Sequence, residues 1–176
     1  QSPSMPEEDP SGGCTQGGWA APYWEGVMPH VERVAMSKPY DILFGRRTYD
    51  IFAGHWPTAP RSDLGDRLNA AQKHVATSQT LSPSWENSHV LSGDMSKAVQ
   101  ELKDQDGPLL QVHGCSALIQ TRQAHNLIDE FRIWTFPVVV GAGKRLFEST
   151  ASPHTYALAR AEALENGVTY NCLRRA

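Results

Sequence analysis

Two segments of this chain, Ile42–Phe52 (ILFGRRTYDIF) and Leu109–Gln120 (LLQVHGCSALIQ), repeat one layout: an apolar strand, a glycine, then the start of a helix. A chain that passes twice from buried strand through glycine into helix is built as an α/β fold. Where such a strand ends, the first turn of the helix aims free backbone N–H groups and the positive end of its dipole at one point. That point suits an anion, most often a phosphate. Singly, the layout is the ordinary connection of α/β proteins. Occurring twice, the first time with Arg46 and Arg47, it points to a ligand carrying several phosphates, such as a nucleotide.

The remaining composition narrows the class. With 176 residues, 40% of them hydrophobic and 20% charged, the chain predicts one soluble globular domain. A formal charge of −3 gives no general attraction to nucleic acid or anionic membrane, and Arg174 and Arg175 read as a solvated tail. No apolar run approaches the ~20 residues that span a bilayer, and no secretion signal stands at the polar, proline-rich N-terminus. Three widely spaced cysteines, Cys14, Cys115 and Cys172, do not make a disulfide framework and fit a reducing cytosol.

Residues 1–18 lack apolar periodicity and read as an irregular loop, with Glu7, Glu8 and Asp9 solvated. A helix is expected from Pro22 to Ser37, with Val27, Val31 and Val34 on one face, stopped by Lys38-Pro39. Asp41–Gly45 predicts a buried strand and Arg47–Ala53 the helix after it. Asp63 is placed to cap a short helix, and Lys73–Thr77 and Ser88–Ser92 read as strands. Asp94 caps a helix whose Met95, Ala98, Val99 and Leu102 form an apolar stripe. Leu109–His113 is a strand, Ser116–His125 a helix, and Ile128–Val140 a long strand open to interruption at Pro137. Tyr156–Leu164 and Val168–Leu173 flank Asn166-Gly167, a two-residue turn signal. Together these predict a mixed, mainly parallel sheet flanked by helices on both faces, closed by a C-terminal antiparallel hairpin.

The chemistry-bearing residues cluster in the repeated layout. Gly45 allows a sharp turn and close approach, Arg46 and Arg47 offer planar forks for phosphate, and the Thr48 hydroxyl either bonds a phosphate oxygen or caps the helix. After Gly114, the N–H groups of Cys115, Ser116 and Ala117 point at a pyrophosphate, or Ser116 is simply an N-cap. Cys115 stands where a helix dipole lowers a thiol pKa, but no partner base is apparent. Gly141-Ala142-Gly143 is not a dinucleotide fingerprint, because Leu146 occupies the place of the third glycine and no long helix follows. No HExxH pattern, zinc-spaced cysteine–histidine cluster or GxSxG elbow occurs. Trp19, Tyr23 and Trp24, beside Glu25, either wall a pocket for a flat heterocycle or form the core face of the first helix.

In combination, GGWAAPYW (Gly17–Trp24), DILFGRRTYDIF (Asp41–Phe52), KHVATS (Lys73–Ser78), LQVHGCSALIQ (Leu110–Gln120) and FPVVVGAGKRLF (Phe136–Phe147) resemble the dihydrofolate reductase-like superfamily. More closely, they resemble its bacterial branch related to the reductase domain of riboflavin biosynthesis. The five stand in that family's order across nearly the whole chain. The resemblance implies NADPH bound across the strand ends, with Arg46 and Ser78 on the adenosine 2′-phosphate, Thr48 on the phosphates, and Gly114, Cys115, Ser116 and Ala117 forming the pyrophosphate turn. Arg47 falls on the variable position of the family's GR-x-T element. The family's central first strand is expected before this chain's opening loop, so either the sheet is completed from elsewhere or the numbered chain lacks a piece.

The function these readings imply is an NADPH-dependent reductase of a small planar heterocycle, pterin- or pyrimidine-like. Trp19, Tyr23 and Trp24 would line the substrate and Glu25 would be the candidate proton donor. The alternative is a non-catalytic nucleotide- or ligand-binding protein on the same fold, or an anion site without dinucleotide preference. The C-terminal hairpin is a possible homodimer surface.

Overall fold

The computed structural model describes residues 13–14, 17–147 and 153–176. Glu7, Glu8, Asp9 and most of the expected N-terminal loop lie outside them. The backbone divides into two compact units, one running from Met36 to Ile119, the other joining the described residues before Met36 to those from Gln120 onward.

In the Met36–Ile119 unit, strands β1 (Tyr40–Gly45), β2 (Lys73–Ala76), β3 (Ser88–Leu91) and β4 (Leu109–Gln111) form an all-parallel sheet of order β3-β2-β1-β4. Helices α2 (Arg46–His55) and α3 (Asp63–Ala70) connect β1 to β2, and α4 (Met95–Asp104) connects β3 to β4. β1 is central, and Ile42, Leu43 and Phe44 are buried whichever face they point to, as a strand covered on both sides requires. Phe44 packs against Tyr49, Phe52 and Trp85 at ring separations of 6.2, 5.2 and 6.0 Å. Asp94 caps α4, its carboxylate accepting from the N–H of Ser96 at 2.8 Å and Lys97 at 3.1 Å. For α3 the expected cap moves by one residue. Ser62 accepts from Gly65 N–H at 3.1 Å and Asp63 becomes the first helical residue, where its charge still complements the dipole.

In the other unit, a 3-10 turn (Ala21–Tyr23) leads into α1 (Trp24–Ala35), shorter than the helix expected to Ser37. β5 (Glu130–Thr135), β6 (Tyr156–Ala163) and β7 (Thr169–Arg175) form an antiparallel sheet of order β5-β7-β6. The parallel and antiparallel parts of the expected mixed sheet are thus two separate sheets among the described residues. The expected strand Ile128–Val140 stops at Thr135. Pro137 has no N–H for a ladder, and Val138 N–H instead turns back to Phe136 C=O at 2.8 Å. The hairpin has three loop residues, not two. Gly167 N–H bonds Leu164 C=O at 3.0 Å, Leu164 N–H bonds Val168 C=O at 2.8 Å, and only Gly167 takes a left-handed φ of 83°. Val168, Tyr170 and Cys172 are buried together, as their alternation predicts. Arg174 and Arg175 are exposed but paired, with Glu130 at 2.8 Å and Asp129 at 3.1 Å, so they tie β7 to the start of β5 instead of trailing in solvent.

His30 fixes α1 onto this sheet. Its Nδ1 accepts the Trp134 indole N–H at 3.0 Å, its ring packs on Tyr170, and its Nε2 lies 3.4 Å from the Glu162 carboxylate. An indole nitrogen only donates, so Nδ1 carries no proton and the neutral ring keeps its hydrogen on Nε2, facing Glu162. Burial holds its pKa below 6.5 against the opposing pull of Glu162. Cys14, Cys115 and Cys172 are free thiols. Among the described residues no helix is long and apolar enough to cross a membrane.

Candidate functional site

The parallel sheet puts the carboxyl ends of β1, β2 and β4 along one edge, and in open sheets of this kind ligands bind where the strand order reverses. Here the chain leaves β1 towards β2 on one side, while β4 lies on the other. Ile42 pairs with Gln111, and the same offset counted three residues on sets Gly45 level with Gly114. The two strand–glycine–helix turns therefore meet. A Cβ built on Gly45 would lie 2.7 Å from Cys115 Sγ.

The two glycines serve different physical needs. Gly45 has an ordinary extended backbone, φ −81° and ψ 156°, so the sharp turn expected of it is not what it provides. It provides closeness, because a side chain there would collide with Cys115. Gly114 has φ 67° with nothing near its missing side chain, so it serves conformation alone.

Around the ends of β1 and β2 lies an open cleft of about 520 Å³ lined by Arg46, Arg47, Asp50, Ala76, Thr77, Ser78 and Gln79. Arg46 and Ser78, which the resemblance puts on one phosphate, both line it. The N-terminus of α2 opens beside it with no capping side chain, whereas Ser62 and Asp94 cap α3 and α4. The first-turn donors of α2, with two guanidinium groups and the hydroxyls of Thr77 and Ser78, make a donor set matched to an anion. Thr48 follows in the first turn of α2, half-buried and outside the cleft lining. Cys115, Ser116 and Ala117 are likewise outside that lining, at the neighbouring turn into α5 (Ser116–Ala124).

Two further residues, Lys73 and Trp85, fix the start of β2 and the far end of the loop that follows it. Lys73 is fully buried, and its ammonium donates to the carbonyls of Asn69, Ala71 and Glu86 at 2.6, 2.8 and 3.1 Å. It also sits 4.4 Å over the Trp85 ring. Burial pushes its pKa down to about 8, with Glu86 pulling the other way. Trp85 in turn donates Nε1–H to Asn69 at 2.7 Å and its backbone N–H to the Tyr49 hydroxyl at 3.3 Å. These bonds anchor the far end of the loop that begins with Thr77–Gln79. The neighbours of Lys73, Gln72 and His74, do not mark it as buried, and only its zero exposure reveals the role. β4 stops at Gln111, short of the His113 expected to end it; beyond it His113 stacks on Tyr40 and meets Gln111 Oε1 at 3.2 Å, and burial pushes its pKa down to about 4.

The expected substrate residues belong to the other unit. Trp19 and Tyr23 each meet Phe136 edge-on, at 5.2 and 5.7 Å, as packing aromatics do. Trp24 is 39% exposed, and Glu25 projects into solvent from the first turn of α1. Among the described residues no three His, Cys, Asp or Glu side chains group as metal ligands.

Comparison with known proteins gives this arrangement relatives. The uncharacterised protein YyaP of Bacillus subtilis (strain 168) is 29% identical over 109 residues, covering 60% of this chain. The chain spans 58% of that relative's length. Among solved structures, a candidate riboflavin biosynthesis protein from Shewanella sp. PV-4 superposes with a TM-score of 0.65 at 19% identity, covering 85% of this chain and 79% of that one. Acinetobacter baumannii RibD superposes with a TM-score of 0.51 at 13% identity, covering 77% and 47%. These two show a shared fold. The family model of the RibD C-terminal domain matches residues 34–170, taking in both glycine turns and the whole parallel sheet, and the chain belongs to that family.

Proposed function

We propose that this chain is an NADPH-dependent reductase of a small planar heterocycle, pterin- or pyrimidine-like. The observation that carries the reading is the cleft at the ends of β1 and β2, where Arg46, Arg47, Thr77 and Ser78 converge beside the uncapped start of α2. Arg46 and Ser78 would hold the 2′-phosphate of the adenosine ribose. Gly45 lets the neighbouring turns lie close and Gly114 gives the second turn its left-handed backbone, so the backbone around Cys115, Ser116 and Ala117 would receive the pyrophosphate, with Thr48 as a further hydroxyl donor. When bound, NADPH supplies the hydride. The chain's own part is to orient the two reactants and exclude water. Trp19, Tyr23 and Trp24 are the proposed substrate wall and Glu25 the proposed proton donor.

A ligand-binding protein without turnover is the competing reading. The exposure of Glu25 favours it, because a general acid works best held among groups that tune its proton affinity. The readings separate by absorbance. A reductase depletes reduced nicotinamide only when a reducible heterocycle is present, whereas a binding protein does not deplete it with any. If Glu25→Gln leaves turnover unchanged, Glu25 is not the donor. For the cofactor, Arg46→Ala is expected to weaken NADPH about ten- to a hundredfold while sparing NADH, the worth of one charge-assisted contact at roughly 1.5–3 kcal/mol. Equal loss for both would remove Arg46 from the 2′-phosphate.

A further inference from the structure

The wall of the cleft contains a charge that an anion site does not need. Asp50 lies one helical turn after Arg46 on α2, and both line the cleft. Arg46 Nε–H is shared between the two carboxylate oxygens of Asp50, at 2.9 and 2.8 Å. Its Nη1 makes only a long contact, 3.4 Å, to Thr80 C=O. The guanidinium is thus already answered on its Nε edge, while its Nη edge is left for a ligand.

We propose that Asp50 is a specificity-determining residue, an internal competitor for Arg46 that limits how strongly the site prefers a phosphorylated ribose to a plain one. This rests on the cofactor-binding reading above. An incoming phosphate dianion meets the attraction of Arg46 and Arg47 together with the repulsion of the Asp50 carboxylate in the same wall. A ribose hydroxyl meets no such repulsion and can donate to that carboxylate. Asp50 therefore penalises the charged ligand and leaves the uncharged one alone. An exposed pair at this helical spacing adds little to stability, so its effect on binding can be read apart from folding.

Asparagine at position 50 separates charge from orientation, since its carbonyl oxygen still accepts from Arg46 Nε–H. The full chain and its Asp50→Asn variant are titrated calorimetrically with adenosine 2′,5′-bisphosphate and with adenosine 5′-monophosphate, which differ only in the 2′-phosphate. Asp50→Asn is expected to tighten the bisphosphate about 3- to 10-fold and to move the monophosphate less than twofold, with the ligand-free melting temperature unchanged. Bisphosphate binding that stays the same or weakens in Asp50→Asn, or equal tightening of both nucleotides, overturns the proposal. Wild-type binding that ignores the 2′-phosphate, unaltered by Arg46→Ala, would instead end the underlying cofactor reading, and the role of Asp50 with it.

Discussion

Single atoms decide what the glycines of this site tolerate. Gly45 and Gly114 look equivalent in sequence, but a methyl group at Gly45 would press on Cys115 Sγ, whereas at Gly114 it would meet nothing and strain only the backbone. Gly45→Ala should therefore cost about 1–3 kcal/mol by overpacking. Cys115→Ala should recover most of that cost, because it removes the sulfur and leaves the backbone alone. Urea denaturation of the two single variants and the double variant checks this, and strictly additive losses would show that the two turns do not touch. The sequence announced both glycines and both arginines, because the strand–glycine–helix layout is local. It could not announce Lys73, whose three carbonyl partners come from Asn69, Ala71 and Glu86. Nor could it announce that Asp50 answers Arg46, since an acid four residues after a base on a helix looks like ordinary surface.

Elements were legible wherever their ends carry their own chemistry. Asp94 marks the start of α4 because its carboxylate accepts two otherwise unpaired N–H groups. Asp94→Ala should lower stability by about 1 kcal/mol, and Asp94→Ser should restore most of it. Chemical denaturation of the three chains decides, with an unchanged midpoint in the alanine variant excluding the cap. Ser62 makes only one such bond, so neighbouring Asp63 looked the better cap than it is. The strand expected from Ile128 breaks before Pro137, as that proline allows, although the apolar run Val138–Val140 continues past it. Pro137 marks the interruption in the sequence itself, but nothing there shows that Val139 is 99% exposed. Asn166-Gly167 marks the hairpin, but its loop length depends on which residue of the turn takes the left-handed backbone, and here only Gly167 does.

Across the whole molecule, the titrating groups predict intolerance of acid. His30, His74 and His113 all have pKa values pulled below 6.5 by burial, that of His113 to about 4. Below pH 6.5 the unfolded chain takes up these protons while the folded one resists. The stability they contribute is therefore complete above pH 6.5 and drains away as the pH falls, down to about 4 for His113. For His113 alone the full loss is on the order of 3 kcal/mol. Melting curves from pH 8 to 4 should show this decline, and His113→Gln, which cannot charge, should flatten it; a curve parallel to wild type would remove His113 as a cause. The family and its α/β class were legible because the glycine turns, the β2 segment and the Phe136–Phe147 segment keep their order. How the strands divide between two sheets was not, since partner choice depends on contacts distant in sequence. One detail of that second sheet reaches beyond it. β6 is one of its two outer strands among those described, and its pairing with β7 slips between Leu158 and Arg160. A strand from another molecule laid along that rim would lose step at the slip, so the hairpin carries its own guard against runaway stacking of copies into fibres.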